Sequence, residues 1–144
     1  MIVYSATKQQ FKDDVVLNQI SDIIKLKLRE HGVSGGSFAE YNSWHNSLHF
    51  MKDVIDDESI PSDANVAIEY QIPRTSRRVD FMIAGADSAG RDNVVIVELK
   101  QWTKAEKIDD YMNHSVRAFT GGANRIVNHP SYQAFSYSTF IRNF

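Results

Sequence analysis

Val94-Val95-Ile96-Val97-Glu98-Leu99-Lys100 is the stretch whose reading decides the fold. Its apolar run suits a strand buried on both faces. The run ends in Glu98 and Lys100, which alternation along a strand places on the same side. Charges at the end of a core strand are costly unless they are paired or bind an ion. Upstream, Arg78-Val79-Asp80-Phe81-Met82-Ile83 reads as another strand, and residues 85–93 as the loop between the two. A hairpin centred near Ala89 sets Asp80 directly opposite Glu98, and directly opposed residues share a face. The expectation is one compact cluster of two carboxylates and an ammonium: Asp80, Glu98 and Lys100.

Such a cluster suits a metal-dependent phosphodiesterase. Mg²⁺ prefers hard oxygen ligands, commonly one or two carboxylates completed by waters and a substrate phosphate. A bound metal acidifies water and polarises the scissile phosphate. A neighbouring lysine positions the attacking hydroxide and offsets charge growing on the phosphate. The competing reading is a carboxylate–lysine ion pair with no chemistry, because Glu-x-Lys tripeptides are common on strands. The matching register of Asp80 and the apolar strand favour the metal site.

The same residues resemble a known signature. Asp80 followed by Glu98-Leu99-Lys100 resembles the PD-(D/E)XK nuclease superfamily, with Val79 where the formula has proline. Gln133-Ala134-Phe135-Ser136-Tyr137 resembles the Q-x-x-x-Y motif of its RecB-like branch. On a helix, Gln133 and Tyr137 share a face; a tyrosine buried against a sheet with glutamine at its rim gives the same pattern. The wider stretches 69–73, 94–102 and 129–133 resemble the N-terminal domain of bacterial proteins in which a nuclease-like region precedes a P-loop, helicase-type ATPase. The resemblance implies a restriction-endonuclease-like αβββαβ core, an α/β fold (mixed α+β) with a central mixed sheet flanked by helices. It implies Mg²⁺ or Mn²⁺ on Asp80, Glu98 and the Leu99 carbonyl, with Lys100 activating water and Gln133 and Tyr137 supporting the site. In that branch a glutamate from the helix before the sheet often supports the metal, and the resemblance offers Glu40 for that part. An acid near a helix N-terminus is the other account of Glu40.

Composition fits this reading without demanding it. A chain of 144 residues is one domain's worth, and 42% hydrophobic with 24% charged residues is ordinary for a globular protein. The net charge of −2 supplies no global basic field for nucleic acid. Arg74, Arg77 and Arg78 form a local basic concentration beside Asp80, suited to phosphates or to a solvated turn. The absence of cysteine excludes disulfides, cysteine-ligated zinc and cysteine catalysis. No signal peptide or apolar span of membrane length is present, and the chain reads as cytoplasmic, without a membrane partner. The last residues read as an amphipathic helix without a stop, so the chain is expected to belong to a longer protein. The resemblance implies a following ATPase as the neighbour; no Gly-x-x-x-x-Gly-Lys loop occurs in this stretch itself.

Along the chain, residues 1–60 read as N-terminal helices and 66–144 as a sheet core with a C-terminal helix, all in one nuclease-like domain. Residues 1–4 are a short strand or an extended lead-in. Ser5 or Thr7 caps a helix from Lys8, and apolar spacing predicts helix over 11–30, ended by Gly32 and residues 34–37. A second helix spans 38–56, with Tyr41, Trp44, Leu48, Met51 and Ile55 as its stripe. Strands are expected at 66–72, 78–84 and 94–101, and a short helix at 105–112. Residues 115–119 and 125–127 pair around Gly121-Gly122, and Pro130 opens the last helix.

Four further positions carry two readings each. Glu69 is a third carboxylate of the cluster, or it bonds an arginine such as Arg78. His45 and His49 are a metal pair at i,i+4, or a solvated helix face, the reading we favour. His129 caps the last helix or approaches phosphate. Trp102 stacks a base, or is buried against a neighbouring helix.

The function expected is a metal-dependent nuclease acting on nucleic acid, with DNA the expected substrate. The alternative is a catalytically inactive nucleic-acid-binding module, or an interaction module regulating an attached ATPase. Oligomeric state is not legible.

Overall fold

Thr7 ends a strand and opens a helix. Strand β1 runs Ile2–Thr7 and helix α1 runs Lys8–Val16, with the Thr7 hydroxyl accepting from the Gln10 N–H at 3.2 Å. This satisfies one of the backbone donors left over in a first helical turn. These coordinates come from a computed structural model that describes residues 1–33, 37–109 and 114–143. The chain divides into two compact units, Met1–Val97 and the part from Glu98 on, taken here in turn.

In the first unit the helix expected over 11–30 is two helices, α1 and α2 (Ile20–Glu30). The break falls at Asn18, whose φ is +56°. The Asn18 N–H donates to the Val15 carbonyl at 3.0 Å and the Gln19 N–H to the Asp14 carbonyl at 2.9 Å. That pair of bonds is a helix-closing motif, and asparagine tolerates the left-handed conformation it needs. The break also rephases burial: Phe11 and Val15 are buried on α1, and Ile20, Ile24 and Leu28 on α2. Gly32, at φ +71°, closes α2 with the same two-bond pattern, as expected.

Helix α3 spans Phe38–Ile55 and begins with a capping box. Ser37 Oγ accepts from the Glu40 N–H at 3.2 Å, and Glu40 Oε2 accepts from the Ser37 N–H at 2.7 Å. Trp44, Leu48, Met51 and Ile55 are buried along one face. The buried Lys8 reaches past this helix, donating to the carbonyls of Asp57 and Ile60 at 3.0 and 2.9 Å.

Strands β2 (Asn65–Gln71), β3 (Arg78–Ala86) and β4 (Asp92–Val97) complete an antiparallel sheet ordered β1-β2-β3-β4. Phe81 of β3 meets Phe11 edge-on, with ring centroids 5.4 Å apart, and anchors helix to sheet. The β3–β4 register pairs Phe81 with Val97 and Ala86 with Asp92, so the hairpin is centred on Ala89 as expected. Strand β4 corrects two expectations. Among the described residues it is an edge strand, with Val94 53% and Val95 55% exposed, and is not buried on both faces. It also stops at Val97, leaving residues 98–100 outside any strand.

The second unit holds β5 (Ala105–Lys107), β6 (Ser115–Thr120), β7 (Ala123–Asn128) and helix α4 (Pro130–Arg142). The helix expected at 105–112 is replaced over 105–107 by a strand, whose Ala105 and Lys107 pair with Ala118 and Val116; residues 110–112 lie outside the described part. Helix-favouring residues are drawn into a strand here by pairing. Thr120 pairs with Ala123, so Gly121 and Gly122 form a two-residue turn at φ +58° and +77°. Positive φ at both central residues is what a tight hairpin of matching twist requires. Val116 and Ala118 are buried on one face of this sheet, while Arg117 and Phe119 are exposed on the other. Pro130 stands at the start of α4, and His129 caps it, Nδ1 accepting from the Ser131 N–H at 3.1 Å.

The fold class is mixed α+β. Among the described residues both sheets are antiparallel throughout, without the mixed central sheet expected from the sequence. Among them, too, no helix is long and apolar enough to cross a membrane.

Candidate functional site

Glu98 follows the last residue of β4, and its side chain is only 2% exposed. Lys100 Nζ lies 2.5 Å from Glu98 Oε1, and Gln133 Nε2 donates to that same oxygen at 2.5 Å. Gln133 Nε2 also donates to Tyr137 Oη at 2.8 Å. Tyr137 is buried, so one turn of α4 carries a rim amide and a buried phenol that meet each other. A buried carboxylate is tolerated when charge and hydrogen bonds compensate it. Here an ammonium two residues away and an amide 35 residues away both engage Oε1. The Glu-Leu-Lys and Gln-x-x-x-Tyr stretches therefore converge on one carboxylate. Leu99 between them is half-buried.

Asp80 is half-buried on β3, one residue before the Phe81–Val97 pair. Within the first unit its counterpart across the sheet is Glu69, because Ile68 pairs with Phe81 and Tyr70 with Val79. Glu69 adopts φ +54° in the middle of β2, a left-handed conformation that a non-glycine residue holds only under surrounding constraint. That constraint is visible. Trp44 Nε1 donates to Glu69 Oε1 at 2.9 Å, and Arg78 Nη1 lies 3.0 Å from Oε2. The residue is 9% exposed, and burial raises its pKa. The Trp44 bond and the Arg78 charge pull the other way, while the Asp80 and Glu40 carboxylates add to the rise.

Arg78 is the hub of this network, with Nη2 also 3.7 Å from Glu40 Oε1. Glu69 makes the bond to Arg78 that one of its two readings expects. Glu40 caps α3 and reaches toward the same guanidinium. Arg74, at φ +59°, and Arg77 are exposed on the turn between β2 and β3. His45 and His49 meet edge-on with ring centroids 5.2 Å apart. Among the described residues no group of three or more His, Cys, Asp or Glu is placed to hold a metal ion. Mg²⁺ needs only one or two carboxylates when waters and phosphate complete its shell. Glu98 offers a single carboxylate, so a metal there would be held in that way and not in an all-protein cage.

The second unit also contains a cleft of about 530 Å³ lined by Lys100, Trp102, Thr120, Val127, Asn128 and Gln133. Trp102 is half-buried there. Thr120 and Asn128 belong to no motif in the sequence. Only their places at opposite ends of the β6–β7 hairpin bring them to this wall. Trp44 as the donor to Glu69 was likewise hidden, since its place in the α3 stripe accounts for it as a core residue.

No protein-family model matches the chain, and no curated protein and no solved structure matches it.

Proposed function

We propose that the chain is a metal-dependent nuclease domain that hydrolyses phosphodiester bonds of nucleic acid, with DNA the expected substrate. The observation that carries the reading is the convergence of Lys100 and the Gln133–Tyr137 pair on the buried Glu98 carboxylate. A salt bridge alone needs only Lys100. The added amide and phenol fix the orientation of the carboxylate, as a metal ligand requires from its surroundings.

In this reading Glu98 and the Leu99 carbonyl would hold Mg²⁺ or Mn²⁺, and Asp80 is the second carboxylate that the sequence signature calls for. The metal, when bound, supplies Lewis-acid activation of water and phosphate. Lys100 has three N–H donors, one of them directed at Glu98, and positions the attacking water or the scissile phosphate. Gln133 holds Glu98, and Tyr137 holds Gln133. The fold-level counterpart is a restriction-endonuclease-like core, for which α3 followed by the β2–β3–β4 meander is the supporting element order.

The test is incubation of the chain with labelled DNA and RNA of several shapes, with Mg²⁺ or Mn²⁺ and with chelator. Cleavage that stops in chelator is expected. Absence of cleavage of every substrate, alone and joined to an ATPase region, would leave the second reading, a binding or regulatory module without catalysis. The engagement of Glu40 and Glu69 by Arg78 favours that second reading, because it removes two carboxylates from the candidate ligands.

A further inference from the structure

We propose that the cleft beside Lys100 receives an unpaired base of a single nucleic-acid strand, stacked on Trp102. The inference rests on the nucleic-acid reading above and names the form of the substrate. At about 530 Å³ the cleft has the size of a small-ligand site and exceeds what one amino-acid side chain fills. Its lining carries the groups a nucleotide calls for. Trp102 offers an aromatic face, which stacks any base. Asn128 offers an amide donor and acceptor for a base edge, and Thr120, at the other end of the hairpin, offers a hydroxyl for the adjoining strand. Lys100 offers the cation for the adjoining phosphate. Among the described residues the lining itself holds no carboxylate, and the neighbouring Glu98 is engaged by Lys100 and Gln133.

The form of the strand follows from geometry. A paired base within a duplex has both faces covered by its neighbours, so an indole reaches it only after it unstacks. A cleft whose aromatic wall comes from one side chain therefore selects single-stranded segments, frayed ends or extruded bases. Lys100 and Gln133 line the cleft and also bond Glu98, which places the base beside the phosphate to be cut. Trp102 is then a substrate-positioning residue, distinct from the groups that hold metal.

The chain has two tryptophans, so Trp44→Phe leaves Trp102 as the only indole. In chelator, where no cleavage intervenes, a ten-residue oligothymidylate should quench its emission saturably. A blunt duplex of the same length should quench it far less. In the otherwise unaltered chain, labelled-oligonucleotide anisotropy should show Trp102→Ala weakening single-strand binding roughly 5- to 150-fold, given about 1–3 kcal/mol per stacked base. Trp102→Phe should recover most of that loss. This second measurement stands even if Trp44→Phe fails to fold. Unchanged emission on single-strand binding, or Trp102→Ala binding both forms as the unaltered chain does, would overturn the inference. Chelator-sensitive cleavage measured separately would then still support the nuclease. Quenching without cleavage under any metal would sink the nuclease and leave the base site.

Discussion

Gln133 and Glu98, 35 residues apart, are joined by a bond of 2.5 Å from the amide Nε2 to the carboxylate Oε1. The same amide donates to Tyr137, so one side chain couples a buried carboxylate to a buried phenol. Gln133→Ala removes both bonds and leaves their partners in a partly buried setting. The expected loss is about 1–3 kcal/mol of stability, together with weaker Mg²⁺ binding. Tyr137→Phe removes only the outer bond and should lose about 1 kcal/mol. Urea melts and calorimetric Mg²⁺ titration check both. A Gln133→Ala chain as stable as the original, with the same Mg²⁺ affinity, would show that the contact is incidental.

Lys100 is the charged partner of Glu98, and its side chain is 26% exposed where that of Glu98 is 2%. Lys100→Ala should reduce cleavage by about 10²-fold or more, the usual effect of losing a group that stabilises developing charge. The fold should persist, since Gln133 still bonds Glu98. Glu98→Ala should lose cleavage and Mg²⁺ binding together. The separation is the point of the pair: a lysine variant that loses metal affinity as fully as the glutamate variant argues for a purely electrostatic role at the carboxylate.

Much of this arrangement was legible because it is written in local signals. Thr7 marks a helix start through donors that need acceptors, Pro130 marks one because it has no N–H to satisfy, and Gly121-Gly122 marks a turn through its backbone freedom. The β3–β4 register followed from charge placement and loop length. What was not legible depends on the rest of the molecule. The run 94–97 has the same composition whether its strand lies at the centre or, as here, at the edge of a sheet. Ala105-Glu106-Lys107 favours helix locally and becomes strand only through β6. Asn18 carries no glycine signal for the break between α1 and α2. The bond from Trp44 to Glu69 needs α3 and β2 in place before it exists.

The raised pKa of Glu69 predicts a pH dependence of stability with a definite sign. Burial is its largest cause, and the folded chain holds that proton more tightly than the unfolded one. The stability it contributes is fully present below the ordinary value of 4.5 and is lost as pH rises through the folded value. Glu69→Gln should therefore flatten the decline in stability above about pH 4.5 when compared with the unaltered chain. Asp80→Asn removes a neighbouring negative charge and should shift the decline to lower pH. Asp87 has the opposite sign, its carboxyl held low by bonds from the Arg91 backbone and guanidinium. Its stability is present above its ordinary value and is lost on acidification, so Asp87→Asn serves as the control. Melting temperatures across pH 3 to 8, on a scale of roughly the ordinary carboxyl range, read all three. A Glu69→Gln chain whose profile parallels the original would rule out titration of this residue.

The turn between β2 and β3 makes the last prediction, and Arg78 narrows it. Three arginines stand beside Asp80 in sequence, but Arg78 is bonded to Glu69 and directed at Glu40. Arg74 and Arg77 are the two exposed on the turn. If both contact phosphates, log affinity should depend on log salt with a contribution of roughly −1.4 to −1.8 from them, at about −0.7 to −0.9 per contact. Replacing both with glutamine should flatten the slope by that amount on unrelated sequences, because phosphate contacts carry no base information. Arg78→Gln should behave differently, lowering the melting temperature by exposing Glu69 to burial without its cation, with little further change in salt slope. A well-folded Arg74/Arg77 double variant with an unchanged slope would remove the turn from the binding surface. Lys104, Lys107 and Arg125 of the second unit would then be the next cations to replace.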